Sequence, residues 1–487
     1  MSSLTRRSLR TRRAIGFGAG LVTAFSLPPW GWWPLALIGL AVIFVLVEPV
    51  ESRGTRFSLT WWSMLGFFVI GLVWMIDLTP PGYVISVPIV AAIMAAPMAF
   101  TRPGPSFAAS FPAAIMLGEA WRWVIPFGGV PMGSIAMGQA GSPLVDIARA
   151  VGALGLIAAV ALGAVALAKV ATNDPRPATI TALLVVAATI IGVVAPDGDG
   201  NGNTPVAVVQ GGGELGTRAV NSSEATVFER HLEAAESVPS GSLSVWPESA
   251  VTANAPFEDS LELRQLQDLA RRGGFTIVTG LTERIDADFF SNAAIVITPD
   301  GTMVDRYEKV HLVPFGEYIP LRSLIDPFAD LSLIPRTAIK GTGDARVDSP
   351  HGPLTVAISF EVYFGERTRD GVNAGGELIL NPTLASSYRT THVPEQSLAS
   401  ARLRAVESGR WVLQSSTTGY SAIVDQRGNV VARTGLKEQR VLTAEAERRT
   451  GTTWPVRTGK VPITTIAVLI LAIDTIGPRI RERALRR

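Results

Sequence analysis

The sequence predicts a polytopic α-helical membrane domain of about eight spans, joined to an extracytoplasmic α/β domain at residues 196–460. Three observations carry that reading. Of the 487 residues, 47% are hydrophobic and 17% charged, with a mean hydropathy of +0.31; a soluble domain carries about 25% charged residues. The apolar residues gather in long runs at both ends of the chain, while charged residues and short β-like runs fill the middle. The Lys and Arg residues of the connecting segments fall on alternate loops. This composition excludes intrinsic disorder. Forty-three Lys and Arg against 41 Asp and Glu leave a net charge of +2, too balanced for a nucleic-acid partner.

A bilayer core about 30 Å thick takes about 20 mostly apolar helical residues. Seven such stretches precede residue 196, at roughly 14–30, 33–48, 57–77, 81–100, 107–126, 146–169 and 178–195, and an eighth covers 461–477. Pro28, Pro29 and Pro34 soften the limits of the first two. Arg6, Arg7, Arg10, Arg12 and Arg13 resemble the basic start of a signal peptide. No small-residue cleavage site stands near Ser26–Trp30, however, and hydrophobic spans follow at once, so a retained first helix is expected. With the N-terminus inside, Arg53 and Arg56, then Arg102, then Lys169 and Arg176, all fall on cytoplasmic loops. The tail with Arg479, Arg481, Arg483, Arg486 and Arg487 is inside as well, whereas loops 28–33 and 77–82 hold neither Lys nor Arg. The expected organisation is a seven-span bundle at 1–195, an extracytoplasmic domain at 196–460, and an eighth span with a cytoplasmic tail at 461–487. Gly198–Asn203 reads as a flexible exit linker. A calcium loop starting at Asp197 lacks the bidentate Glu it needs. Few intramembrane charges and no strong GxxxG face favour a monomer. Glu119, Arg122 and Asp474 read as helix-terminal or structural pairs rather than a transport path.

In the middle region, the runs 205-PVAVVQ, 274-GFTIVTG and 354-LTVAISF alternate with helix-like stretches at 222–238 and 260–272, which is an α/β pattern. His231, His311, His351 and His392 lack metal-ligand spacing, and no Gly-rich phosphate loop appears, so no metal or cofactor is expected. The chain has no cysteine, which excludes disulfides and a Cys nucleophile.

Three local signals carry possible chemistry. In 245-VWPESAV, Glu248 ends an apolar run beside Trp246, a setting for a desolvated general base; a plain Pro-Glu surface turn reads the same way. In 306-RYEKVHLVPFGEYIPLR, Lys309 precedes Glu317 by eight residues in a run too broken for a helix. A Lys in an apolar setting stabilises an oxyanion, but a solvated Lys beside a strand has the same spacing. In 354-LTVAISFEVYFGE, Ser359 follows a buried-type strand, as a nucleophile on a tight turn does and as many ordinary turn serines do.

Taken in order, these three signals resemble the Glu–Lys–Cys layout of the nitrilase superfamily. An inserted domain of that kind between the seventh and eighth of eight spans is similar to the apolipoprotein N-acyltransferase family. The resemblance rests on 246-WPES, 309-KVHLVPFGEYIPLR and 359-SFEVYFGE, with further support from 118-GEAWRWVIPFGGVP and 401-ARLRAVESGRWVLQSSTTGYSAIVD. It implies an αββα sandwich for residues 196–460. It also implies Glu248 as general base, Lys309 as oxyanion-stabilising lysine, Ser359 at the nucleophile position, and Glu317 and Glu361 as supporting acids. Trp246, Phe315, Tyr318 and Phe360 are expected to support the site or bind substrate. The implied reaction moves an acyl chain from a membrane phospholipid, through an acyl-enzyme, to the α-amino group of a diacylglyceryl lipoprotein or lipopeptide at the bacterial inner membrane. Residues 311–335 are expected to act as a lid over the acyl chains. A small-amide amidase is the alternative class, which eight spans disfavour.

The chain departs from that family at four places, the mildest being Phe360 where many members have Tyr. Position 359 is Ser where the family has Cys, 381-NPTLASSY replaces the usual run there, and 209-VQGGGELGTRAV lacks the family's Trp. A serine hydroxyl is far less acidic than a thiol. Three readings of Ser359 follow: a Cys replaced by engineering, a native serine enzyme acting through an oxyester on this or a glycolipid acceptor, or a non-catalytic binding relative.

Overall fold

A helix forms over each apolar stretch. The computed structural model describes residues 7–215, 223–325 and 335–485. It divides into two units, Met1–Ala195 with Thr458–Arg487, and Pro196–Arg457.

In the first unit, α1 (Leu9–Ala24), α2 (Pro34–Val47), α3 (Arg53–Gly71), α4 (Met75–Leu78), α5 (Pro80–Ala95), α6 (Phe107–Arg122), α7 (Ile147–Ala171) and α8 (Pro175–Val194) follow in order, and a last helix covers Val461–Leu485. Among the described residues, three helices are long and apolar enough to cross a membrane, at Pro80–Phe100, Ile147–Ala171 and Pro175–Val194. Pro34–Val47 and Val461–Ile476 are apolar but shorter. The other long helices carry charge: α1 opens on Arg10, Arg12 and Arg13, α3 on Arg53 and Arg56, and α6 ends on Glu119 and Arg122. Ser8 and Ser52 cap α1 and α3, accepting from the amides of Thr11 and Thr55 at 3.2 and 3.4 Å. α1 and α3 meet backbone to backbone. A Cβ on Gly20 would fall 1.8 Å from the Ser63 carbonyl oxygen, so the Gly16–Gly20 face is consumed inside the chain. Glu119 and Arg122 pair at 2.6 Å with both side chains fully buried. Arg122 also donates to the carbonyls of Val130, Met132 and Gly133, and Glu119 accepts from the Ile135 amide. Asp474 accepts from the Arg102 amide and the Ser106 hydroxyl, at 2.8 and 2.6 Å, just ahead of α6. The Glu119–Arg122 pair closes the end of α6, whereas Asp474 lies midway along the last helix and holds the start of α6.

Among the described residues, the second unit has fourteen strands. They are β1 (Asp199–Gln210), β2 (Leu243–Val245), β3 (Val251–Asn254), β4 (Thr276–Arg284), β5 (Phe289–Ile297), β6 (Met303–Glu308), β7 (Thr337–Ala338), β8 (Arg346–Val347), β9 (Leu354–Val356), β10 (Leu378–Thr383), β11 (Val412–Ser416), β12 (Ala422–Val424), β13 (Val430–Arg433) and β14 (Arg440–Thr450). One sheet runs β14-β1-β2-β4-β5-β6, with β3 on β4 and β7 on β5; the other runs β13-β12-β11-β10-β9-β8. Their facing sides supply one core, with Val206, Val208, Val245 and Val278 packed among Val356, Leu378, Leu380 and Leu413. Each such side chain contributes roughly 1.5–3 kcal/mol by leaving water. Helices Glu224–Ala235 and Leu261–Gly273 cover the outer face of the first sheet, and Gly365–Asn373 and His392–Ser408 pack on the second. The unit is therefore an αββα sandwich.

One expectation is corrected here. Gly198–Asn203 is not a flexible linker: β1 begins at Asp199 and pairs with β14 from Asp199↔Thr450 onward, with a bulge between Gly200 and Asn203. The ladder offered by β14 outweighs the low strand propensity of GDGNGN.

Candidate active site

Strand alternation decides which side chains meet. On β5, Ala294 and Val296 face the second sheet, so Asn292 does too; on β6, Tyr307 faces it, so Lys309 follows one residue past the strand. Glu248 arrives from the end of β2 through the turn at Pro247. Gly280 makes room for that turn, because a Cβ there would sit 2.5 Å from both the Glu248 Cα and the Pro247 carbonyl oxygen.

These residues form one buried cluster. Lys309 Nζ lies 2.8 Å from Glu248 Oε1 and 2.9 Å from Glu317 Oε1. Asn292 Nδ2 donates to the same two oxygens, at 2.9 and 2.6 Å. Glu317 is held in turn by the Val313 amide at 2.7 Å. Burial alone would push the Lys309 ammonium down, but the charges of Glu248 and Glu317, with their hydrogen bonds, hold it above its ordinary value. An ammonium has three donors. Two are used here, and the third has no partner among the described residues.

Ser359 joins this cluster through Glu361 rather than directly. The Glu361 carboxylate is fully buried and accepts from the amides of Val310, His311 and Ile358 and from the Tyr307 hydroxyl, at 2.8 to 3.0 Å. It therefore ties the turn that presents Ser359 to the segment that presents Lys309. Burial pushes Glu361 up, against the pull of the His311, Ile358 and Val310 amides and the Lys309 charge. Ser359 itself has φ +49°, in the left-handed region, and opens a short 3₁₀ turn, Ser359–Tyr363. Its Oγ accepts from Thr383 Oγ1 at 3.3 Å.

The other expected residues divide. Phe315 and Tyr318 close a tight turn around Glu317, with the Phe315 amide donating to the Tyr318 carbonyl at 2.8 Å. Phe360 is half-buried, edge-on to Phe364 at 5.1 Å. Trp246 is corrected: it is fully buried in the core between the first sheet and its helices, stacked 5.9 Å from His231, and takes no part in the cluster. The period of two puts it with Ser244, opposite Leu243 and Val245. Of the expected lid, residues 326–334 lie outside the described residues, while Leu321 and Leu324 are exposed. Asn292, Tyr307 and Thr383 were not anticipated. Asn292 alone leaves a signal in the sequence, a polar residue at an inward position of the otherwise apolar run Ala293–Ile297. Among the described residues, no group of three or more His, Asp or Glu is placed to hold a metal ion.

The carbon-nitrogen hydrolase family profile matches residues 205–456. The profile of the apolipoprotein N-acyltransferase N-terminal domain matches residues 19–166. Relatives include apolipoprotein N-acyltransferases of Shewanella oneidensis, 26% identical over 96% of this chain and 95% of that protein, and of Geobacter metallireducens, 27% identical over 91% of each. That of Allorhizobium ampelinum is 28% identical over 86% of this chain and 87% of its own length. Among solved structures, Saccharomyces cerevisiae Nit3 of the nitrilase superfamily covers 51% of this chain and 91% of its own, at 22% identity and a TM-score of 0.40. An amidase from Nesterenkonia sp. covers 55% and 98%, at 17% identity and 0.40. The chain belongs to the carbon-nitrogen hydrolase family and carries, ahead of that domain, the N-terminal domain of apolipoprotein N-acyltransferase.

Proposed function

We propose that this protein is an apolipoprotein N-acyltransferase working through an ester on Ser359. Ser359 Oγ attacks the ester carbonyl of a membrane phospholipid while Glu248 takes its proton. The third N–H of Lys309 meets the tetrahedral oxyanion. The glycerol C–O bond breaks, Glu248 returns the proton to the leaving oxygen, and a lysophospholipid departs. The α-amino group of a diacylglyceryl-cysteine then attacks the acyl-Ser359 ester, an amide forms, and the amine's proton restores the Ser359 hydroxyl by way of Glu248. An ester becomes an amide with no electrons to supply.

The observation that carries this reading is the buried Lys309 between two carboxylates, coupled through Glu361 to the turn bearing Ser359. A lipid-binding scaffold has no use for a buried ammonium with an unpartnered N–H at that point. The apolar helices and the curated relatives make the chain a bacterial inner-membrane protein. The loop charges support cytoplasmic termini and an extracytoplasmic catalytic unit, and the few intramembrane charges support a monomer.

Intact mass after incubation with phospholipid bilayers tests the proposal. The expected result is one added acyl chain on Ser359, discharged by a diacylglyceryl lipopeptide and missing in Ser359→Ala. If neither this chain nor Ser359→Cys gains an acyl chain, the reading fails.

A further inference from the structure

Resting on that function, a second hydroxyl enters the chemistry. β9 and β10 are parallel neighbours paired from Leu354↔Leu378 to Val356↔Leu380, and β9 ends at Val356. The turn that follows carries Ser359, beside Asn381 and Thr383 at the end of β10. Two contacts join the turn to that strand end. Asn381 Nδ2 donates to the Ala357 carbonyl at 2.6 Å, and Thr383 Oγ1 donates to Ser359 Oγ at 3.3 Å. Thr383 is 6% exposed, so water hardly competes for that hydroxyl.

We infer that Thr383 is a further catalytic residue, whose hydroxyl stabilises negative charge on Ser359 Oγ as that oxygen attacks and, above all, as it leaves the acyl group. The resting bond is long for O–H···O and tightens when its acceptor becomes anionic, since charge-assisted hydrogen bonds are shorter and stronger. An alkoxide is a far worse leaving group than a thiolate, so a serine at position 359 needs such a donor more than a cysteine would. Thr383 keeps its own proton throughout. The proton that restores Ser359 comes from the attacking amine through Glu248, and the bond broken is acyl carbon to Ser359 Oγ.

The test is the rate at which the purified full chain, acylated from bilayers, passes its acyl chain to a diacylglyceryl lipopeptide. Thr383→Val, which keeps shape and removes the donor, should slow this step by about 10- to 100-fold. Thr383→Ser should recover most of the loss. The loss should be at least several-fold larger with Ser359 than with Ser359→Cys, a difference a purely structural role would not produce. Equal losses in both forms, or an undiminished rate in Thr383→Val, would overturn the inference while leaving the function standing. As a second measurement, a lipid fluorophosphonate should modify Ser359 more slowly in Thr383→Val. Absence of any adduct on Ser359, by lipid or phosphonate, would overturn both.

Discussion

Each unit buries an ion pair, and the two pairs end differently. In the helical unit, Arg122 is surrounded: Glu119 takes one N–H, and the carbonyls of Val130, Met132 and Gly133 take others. In the sandwich, Lys309 meets two carboxylates and stops with a proton to spare, while Asn292 Oδ1 beside it is buried without a partner. Buried charges are costly unless fully matched. Arg122 spends its donors on one carboxylate and three backbone carbonyls that fix a loop, whereas Lys309 sits between two carboxylates with an N–H to spare beside an unpartnered amide oxygen, and that contrast separates the two better than burial does.

Removing Lys309 should have the largest effect. Lys309→Ala leaves Glu248 and Glu317 sharing Asn292 with no cation between them. It should abolish acyl-enzyme formation by intact mass and cost about 3–5 kcal/mol of stability in denaturant unfolding. Normal acylation in this variant would remove the distinction. Arg122→Ala should destabilise the helical unit by a similar amount, about 3–5 kcal/mol, because Glu119 is stranded in the interior. Its acylation rate per folded molecule should stay near that of the parent, and a collapse of that rate would show the Arg122 pair to be more than structural.

The smallest expected effect is a pH slope. His231 is fully buried, with Nδ1 on the Val227 carbonyl and Nε2 accepting from the Gly211 amide, and burial pushes it down to about 4. Between about 6.5 and 4 the unfolded chain holds a proton that the folded one refuses, so stability falls as pH drops through that window, by about 3 kcal/mol. Glu361 acts in the opposite sense. Burial raises it, so its contribution is full below the ordinary carboxylate value and declines as pH rises through its folded value. His231→Gln keeps an acceptor for Gly211 and should flatten the acid-side slope measured by chemical unfolding at a series of pH values. An unchanged slope would reassign the acid sensitivity.

Glu248 and Ser359 drew notice because each follows an apolar strand run, and Lys309 because it stands between them in a segment too broken for a helix. Glu361 was legible only by its distance from Ser359, and its role as a clamp needed the packing of β6 against the 359 turn. Asn292 in 289-FFSNAAIVI and Thr383 in 381-NPT look like ordinary polar residues of strands. Sheet register alone brings them to Glu248 and Ser359, since strand partners are chosen across long sequence separations. Trp246 misled for a related reason. A spacing of two suggested a shared face with Glu248, yet β2 ends at Val245 and the turn at Pro247 carries Glu248 away from the side Trp246 takes. The apolar stretches of the helical unit announced their helices, but charges in α1, α3 and α6 blurred which are spans.

The pairing of Asp199 with Thr450 has a consequence for how such a chain arises. The first and last strands of the sandwich are antiparallel neighbours, so the polypeptide enters and leaves the unit about 5 Å apart, one strand spacing. A domain with adjoining ends can be spliced between two helices, or exchanged for another, at little conformational cost to its host.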